Sequence, residues 1–409
     1  MTAGIPVGDA VVARLDDGRV VRGFAEEGFG GVIDEFVANF EQRSDLGAGC
    51  AVYADDRPLV DVWGGIADRR HGAPWTHDTA AVIFSCTKGL LALCAYSLVQ
   101  DGVLDLDAPI ANCWPEFAAN GKASITLRDA MAHRSGLAAL DTDLSRADVL
   151  AWTPVTRAIE AQRPHHRPEE GHLYHAMTYG WIVGEVIRRV SGMTPGTFFA
   201  HRFAEPLVLR TWIGVPGDAR ADVARMEVPL PDEDSDEARE ASRLAAGHPI
   251  VERSLSMGGA FGFPVQDGEV TFNDPAIQAA EVPGANGVSS AASLARLYAA
   301  CVRASDGMPA PLLSPGSISD ALRVRSAGPQ LSGLPDDGAR WGTGFQLSSP
   351  PTQPMLGARS FGHAGAGGQL AFADADRGVG FAYLSNQMGG YGDARARSLT
   401  EALRDALRV

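Results

Sequence analysis

A serine and a lysine three residues apart open an apolar run in FSCTKGLLALCAYSLVQDG, residues 84–102. On a helix, positions three apart share a face, so the Ser85 hydroxyl and the Lys88 ammonium would be neighbours. In a first turn the serine oxygen lies near backbone N–H groups without intrahelical partners and near the positive end of the helix dipole. Both favour an oxyanion. Leu90, Leu91 and Leu93 surround the lysine with apolar surface. Desolvation lowers an ammonium pKa and lets the neutral amine serve as base or proton relay. Taken alone, the pair also fits an N-capping serine followed by a lysine whose head reaches water. Cys86 is adjacent, but a helix turns about 100° per residue, so its thiol should point elsewhere and pack.

Three further segments follow in order: LDLDAPIANCWPEF with ITLRDAMAHRSGL (104–137), YHAMTYGWIVGEVI (174–187) and FGHAGAGGQLAFADADRGVGFAYLSN (361–386). With Ser-x-x-Lys they resemble the serine β-lactamase and penicillin-binding-protein superfamily, from about residue 28 to the C-terminus. The order is that superfamily's: Ser-x-x-Lys, a tyrosine motif, then a His/Lys-x-Gly strand. Two departures narrow the resemblance. Tyr174-His175-Ala176 stands where the Tyr-containing lactamases have Tyr-x-Asn, and His363-Ala364-Gly365 stands for Lys-Thr-Gly. The amide and the cation that grip a β-lactam are missing, and the pattern looks closest to the family VIII carboxylesterases.

The resemblance implies roles. Ser85 matches the nucleophile and Lys88 the partner that holds and relays its proton. Tyr174 matches the general base, its phenol pKa lowered by Lys88. Tyr179 is the competitor; Tyr174 is preferred because Gly180 recurs six residues later. His363, Ala364 and Gly365 would line the site with His175, a neutral His363 supplying one donor. The Ala366 N–H would join that of Ser85 as the oxyanion hole. The expected reaction is hydrolysis of a small carboxylic ester through an acyl-serine. Hydrolysis of β-lactams, D-amino-acid peptides or short amides, acyl transfer, and a binding protein that kept the fold are the rivals. No cofactor or metal is expected, because side chains and amides suffice. HHRPEEGHLYH (165–175) then reads as a solvated loop and His133 as part of a turn. No Gly-x-Ser-x-Gly marks an α/β-hydrolase elbow.

The elements that must position these residues fall into two kinds. Val32, Ile33, Phe36 and Phe40 have helical spacing within 28–43. Residues 47–68 read as strand–turn–strand about Asp55-Asp56-Arg57-Pro58. Residues 360–387 hold three short strands, and 393–409 close as an amphipathic helix. The middle is mostly helical, with segments at 126–135, 179–192, 194–203 and 290–305. The expected fold is therefore α/β and, by the resemblance, β-lactamase-like. Residues 1–75 and 301–409 form a lobe whose antiparallel sheet is flanked by N- and C-terminal helices. Residues 76–300 form an inserted, mainly helical lobe, with the site in the cleft between.

Charge and composition bound the partners. The chain has 409 residues and a net charge of −15, which disfavours nucleic acid and anionic membranes. No basic segment precedes an apolar run at the start, and no apolar stretch reaches the ~18 residues of a membrane span; a cytoplasmic protein is expected. Cys50, Cys86, Cys94, Cys113 and Cys301 are scattered without CxxC spacing and read as free thiols. PDEDSDEARE (231–240) reads as a solvated loop or helix face.

Overall fold

Side-chain alternation builds the sheet. Along Val379–Ser385, Phe381 and Tyr383 enter one apolar cluster while Ala382 and Leu384 enter another, as a strand buried on both faces requires. The structure is a computed structural model that describes residues 10–229, 247–266, 268–303, 310–350, 352–390 and 392–408. The acidic stretch 231–240 lies outside the described residues.

The strands are β1 (Val11–Arg14), β2 (Val20–Ala25), β3 (Gly47–Ala54), β4 (Arg57–Asp68), β5 (Ser326–Ala327), β6 (Arg340–Trp341), β7 (Gln346–Leu347), β8 (Ser360–Ala364), β9 (Leu370–Asp374) and β10 (Val379–Ser385). They run antiparallel in the order β1-β2-β4-β3-β10-β9-β8-β7-β6-β5. Register between the chain ends is continuous, from Val379 opposite Ala54 to Ser385 opposite Ala48. The two outermost N-terminal strands are an addition to the sequence-based expectation.

The main helices are α1 (Gly30–Gln42), α2 (Thr87–Gln100), α3 (Thr178–Ser191), α4 (Ala291–Val302) and α5 (Arg395–Ala406). Phe36 and Phe40 of α1 join Leu399 and Leu403 of α5 over one face of the sheet, against Val62, Phe372 and Phe381. On the other face α4 packs against β3, β9 and β10. It has buried residues all round, because it lies between the sheet and the helical layer. The expected boundary at 300/301 falls within this helix, which packs on the sheet; the chain passes from the sheet to the helical segments and back near residues 82 and 288. There Ala81–Val82 and Val288–Ser289, the entry to and exit from the inserted lobe, pair antiparallel.

The expected helix at 126–135 is shorter, Leu127–Met131. A Thr126/Asp129 capping box starts it, and His133, at φ +61°, ends it. Among the described residues no helix is long and apolar enough to cross a membrane.

A buried charge cluster closes the sheet lobe. Arg395 at the head of α5 bonds Asp45, Asp393 and Ser385, and its Nη2 donates to Gly367 O at 2.8 Å. Arg395 is 2 % exposed. Removing one partner of such a pair strands the other charge. Arg395→Met should therefore cost about 3–5 kcal/mol in a denaturant titration. Adding Asp45→Leu should recover part of that loss; strictly additive losses would show that the two groups are not coupled.

Candidate active site

The turn that presents Ser85 is strained. Phe84 has φ +42°, a conformation that a bulky side chain avoids. Its ring is held by Phe272 and Phe263, with centroids 5.3 and 6.1 Å away. A short 3₁₀ turn, Phe84–Cys86, leads into α2. The first closed bond there is Cys86 N–H to Ile83 O, which leaves the Ser85 N–H at the open end of the helix. Cys86 turns away and its thiol donates to His363 O at 3.0 Å, in keeping with a packing role.

Lys88 is fully buried, and its Nζ lies 3.1 Å from Ser85 Oγ. It also donates to Ala176 O at 2.7 Å and Gly284 O at 2.8 Å. The second carbonyl reaches it because Gly180 has no side chain: a Cβ there would lie 2.2 Å from Gly284 N. Desolvation brings the lysine pKa down to about 7. A neutral amine has two N–H groups and one lone pair. With both N–H groups on carbonyls, the lone pair is left for the Ser85 hydroxyl. Protonated, the same nitrogen donates three bonds to the same three partners.

Tyr174 sits beside this pair, its ring 5.0 Å from Lys88 Nζ. It stacks on Trp341 at 5.1 Å and packs against His133 at 4.7 Å. The expected lowering of its pKa is not what the environment produces. Burial raises it, and the Ser85 hydroxyl offsets this only in part. A low-dielectric site disfavours a phenolate and an ammonium alike, so Tyr174 stays protonated while Lys88 becomes the group that titrates near neutrality. Tyr179 is buried, 5.8 Å from Lys88 by its ring, with its hydroxyl near Lys88 O and Gly344 O. It does not line the cavity.

β8 forms the opposite wall. A Cβ on Gly365 would lie 2.4 Å from Ile83 O, so only glycine lets this strand end meet the turn before Ser85. Gly365 N–H bonds Gln369 O toward β9. By strand alternation Ala364 and Ala366 present their N–H groups at the other edge. The Ala364 N–H is taken by Gln346 Oε1 at 3.0 Å. Ala366 N–H has no partner among the described residues, so it and Ser85 N–H offer two amides at one cavity.

Two histidines differ from expectation. His175 is fully buried, with Nε2 2.6 Å from Ser135 Oγ and Nδ1 2.6 Å from Leu173 O. It is absent from the cavity lining and secures the turn instead. His363 lines the cavity, but its one N–H is spent on Ala364 O, 2.6 Å from Nδ1. Burial and the neighbouring Lys88 lower its pKa to about 3. It is a neutral acceptor at Nε2, not the donor expected. In the His-rich loop, His165 pairs with Asp141 at 3.1 Å.

The cavity has a volume of about 540 Å³ and holds Ser85, Tyr174, His363, Ala364, Gly365 and Ala366 in its wall. Sequence reasoning missed Trp341, Gln330 and Gln346, which also line it. Gln330 Oε1 accepts from Tyr174 N–H at 2.9 Å, as Gln346 does from Ala364. Phe84, Met177, Val251, Leu255, Phe263 and Phe272 make the rest mainly apolar.

The Beta-lactamase family profile matches residues 33–406. Esterase/beta-lactamase LipL of Mycobacterium tuberculosis is 34% identical over 378 residues, 91% of this chain and 84% of that protein. The crystal structure of a family VIII carboxylesterase superposes with TM-score 0.81 at 30% identity, covering 94% of this chain and 99% of the other. A penicillin-binding-protein homologue from Caulobacter crescentus superposes equally, with TM-score 0.81, 32% identity and the same coverage. These relatives support a serine hydrolase, and an antiparallel sheet carrying helices on both faces is the fold they share. The chain belongs to the Beta-lactamase family.

Proposed function

We propose that the chain hydrolyses neutral carboxylic esters through an acyl-Ser85 intermediate. The observation that carries this reading is the set of bonds on Lys88, two backbone carbonyls and the Ser85 hydroxyl. Neutral Lys88 takes the Ser85 proton as Oγ attacks the ester carbonyl. The oxyanion is held by the Ser85 and Ala366 amides. Collapse expels the alkoxide, which takes the Tyr174 phenol proton, and the Lys88 ammonium reprotonates the phenolate. Water then attacks the acyl-serine, gives its proton to Lys88, and Ser85 regains a proton as the acid leaves. Compared with the role implied by the resemblance, Tyr174 acts as acid and relay while Lys88 is the first base.

The cavity wall favours an uncharged substrate. Among the described residues that line the cavity, Asp337 is the one charged side chain, and no lysine or arginine joins it there. A β-lactam or D-peptide carboxylate would find no counter-charge. Ala176 supplies no side-chain amide, and Gln346 occupies the Ala364 N–H that an extended peptide would use. β-Lactam hydrolysis is the second reading, because one relative is named for both activities.

On one preparation, kcat/KM for p-nitrophenyl butyrate should exceed that for nitrocefin at least about tenfold, as loss of one charge-assisted bond implies. Mass spectrometry with a slow ester should place the acyl adduct on the Ser85 peptide, and Ser85→Ala should abolish both adduct and turnover. Nitrocefin ahead of the ester would make the second reading the better one, and an adduct elsewhere would remove Ser85 as nucleophile.

Tyr174→Phe should lower kcat by about 10²-fold or more, the scale for a lost proton-transfer group. Tyr179→Phe should cost much less; the reverse order would shift the motif to the second tyrosine.

The pH profile follows from Lys88. Its neutral form is the base, so kcat/KM should rise with pH through about 7 and level above it. His363 and His175, both lowered to about 3, do not contribute to this limb. A flat profile between pH 6 and 9 would exclude Lys88 as the titrating base.

A further inference from the structure

Tyr174 belongs to no helix or strand, so something other than a hydrogen-bond ladder has to fix its phenol. The residues on either side of it are tied to one turn. Leu173 N–H donates to His133 O at 3.0 Å, and His175 N–H donates to His133 Nδ1 at 3.1 Å. The His175 side chain closes the network, with Nδ1–H on Leu173 O and Nε2 on Ser135 Oγ, both at 2.6 Å. His133 is buried. Its ring lies 4.7 Å from that of Tyr174 and 4.7 Å from that of Trp341, on which Tyr174 stacks.

The chemistry of His133 suits a fixed clamp. A backbone N–H can only donate, so Nδ1 must carry a lone pair and the ring proton sits on Nε2. Burial holds the ring pKa well below its ordinary value, so the acceptor is kept at neutral pH. The backbone of His133 is strained as well. Its φ is +61°, a region that costs a non-glycine residue free energy and persists where the surroundings demand it. Here the carbonyl and the ring of this one residue both bond the Leu173–His175 stretch, one on each side of Tyr174.

We infer that His133 is a positioning residue for Tyr174: by holding Leu173 and His175 it aims the phenol proton at the departing alkoxide. The inference rests on the reading of Tyr174 as acid. It goes beyond the turn that the sequence suggests at His133, because a turn needs neither the imidazole nor its lone pair.

The test compares ethyl butyrate with p-nitrophenyl butyrate, which share an acyl group, with butyrate release followed by pH-stat titration. An alkoxide needs a proton as it leaves, whereas p-nitrophenolate does not. Misplacing the acid should therefore slow the first ester more than the second, and kcat/KM for each reports the steps up to acylation. Tyr174→Phe should lower the ethyl-to-nitrophenyl ratio at least about tenfold. His133→Gly and His133→Ala lack the acceptor and should each lower the ratio at least about fivefold, since small displacements of a reacting group are costly. His133→Asn should stay close to wild type, because its Oδ1 takes the place of Nδ1 next to Cγ and asparagine tolerates the positive φ. A role confined to the turn would leave the ratio unmoved in His133→Gly, where the positive φ carries no strain. The ratio is taken on one preparation, so a partly folded variant does not distort it. With Tyr174→Phe responding, an unmoved ratio in the acceptor-free variants, or an equal fall in His133→Asn, overturns this inference alone. An unmoved ratio in Tyr174→Phe overturns the acid reading of Tyr174 and this inference with it. Failure of wild type to hydrolyse either ester overturns the esterase reading and both.

Discussion

A primary amine shut away from water has to find its hydrogen bonds in the protein, and Lys88 imposes that demand on everything around it. Ala176 O arrives because the chain turns into α3 directly after the Tyr174 segment. Gly284 O arrives from a loop that touches α3 at Gly180. That loop is held by Asn286, whose side chain accepts from Val282 N–H and donates to Ile277 O and Ala280 O. Two distant stretches of chain are thus fixed relative to α2 by one nitrogen. Burial without those carbonyls would leave a polar group unpaired, at a cost of about 1–3 kcal/mol.

The same desolvation sets the charge state of the neighbourhood. It pushes the Tyr174 phenol up and brings His363 and His175 down to about 3, so these groups are neutral over the range in which enzymes work. Lys88, at about 7, is the exception. In the proposed mechanism Lys88 stores the proton, and the other groups able to exchange one pass it on or orient the partners. A second permanent charge beside Lys88 would disturb this division by moving its pKa.

What was legible in the sequence was what carries a local signature. Ser85 and Lys88 are three apart on one helix face, and the strands around His363 and Gly365 are marked by glycines and alternation. Hydrogen bonds made by the backbone have no such signature: any residue could have supplied Gly284 O. Gln346 and Trp341 owe their position to strand register, and their segment reads as short and irregular. α4 packs on the sheet, although its apolar pattern suits any buried helix and carries no sign of which layer it covers. The Tyr174 pKa was read from the nearest charge, whereas burial of the whole cluster is the larger influence. The sequence suggests His363 as a donor, because nothing in it marks the claim of Ala364 O on the ring proton.

The turn before Ser85 and the end of β8 meet without slack. Gly365 touches Ile83 O too closely for a methyl group, Cys86 bonds His363 O, and Gln369 Nε2 donates to Val82 O at 3.1 Å. The two amides of the proposed oxyanion site, those of Ser85 and Ala366, come from opposite sides of this seam. The lobes therefore cannot hinge apart there without separating the donors that must act on a single oxygen. Access to Ser85 would be governed instead at the rim, by the segments that carry Val251, Leu255 and Phe263 on one side and Leu334 and Asp337 on the other. A different loop sequence there would reshape the cavity mouth while the spacing of the two amides stays constant.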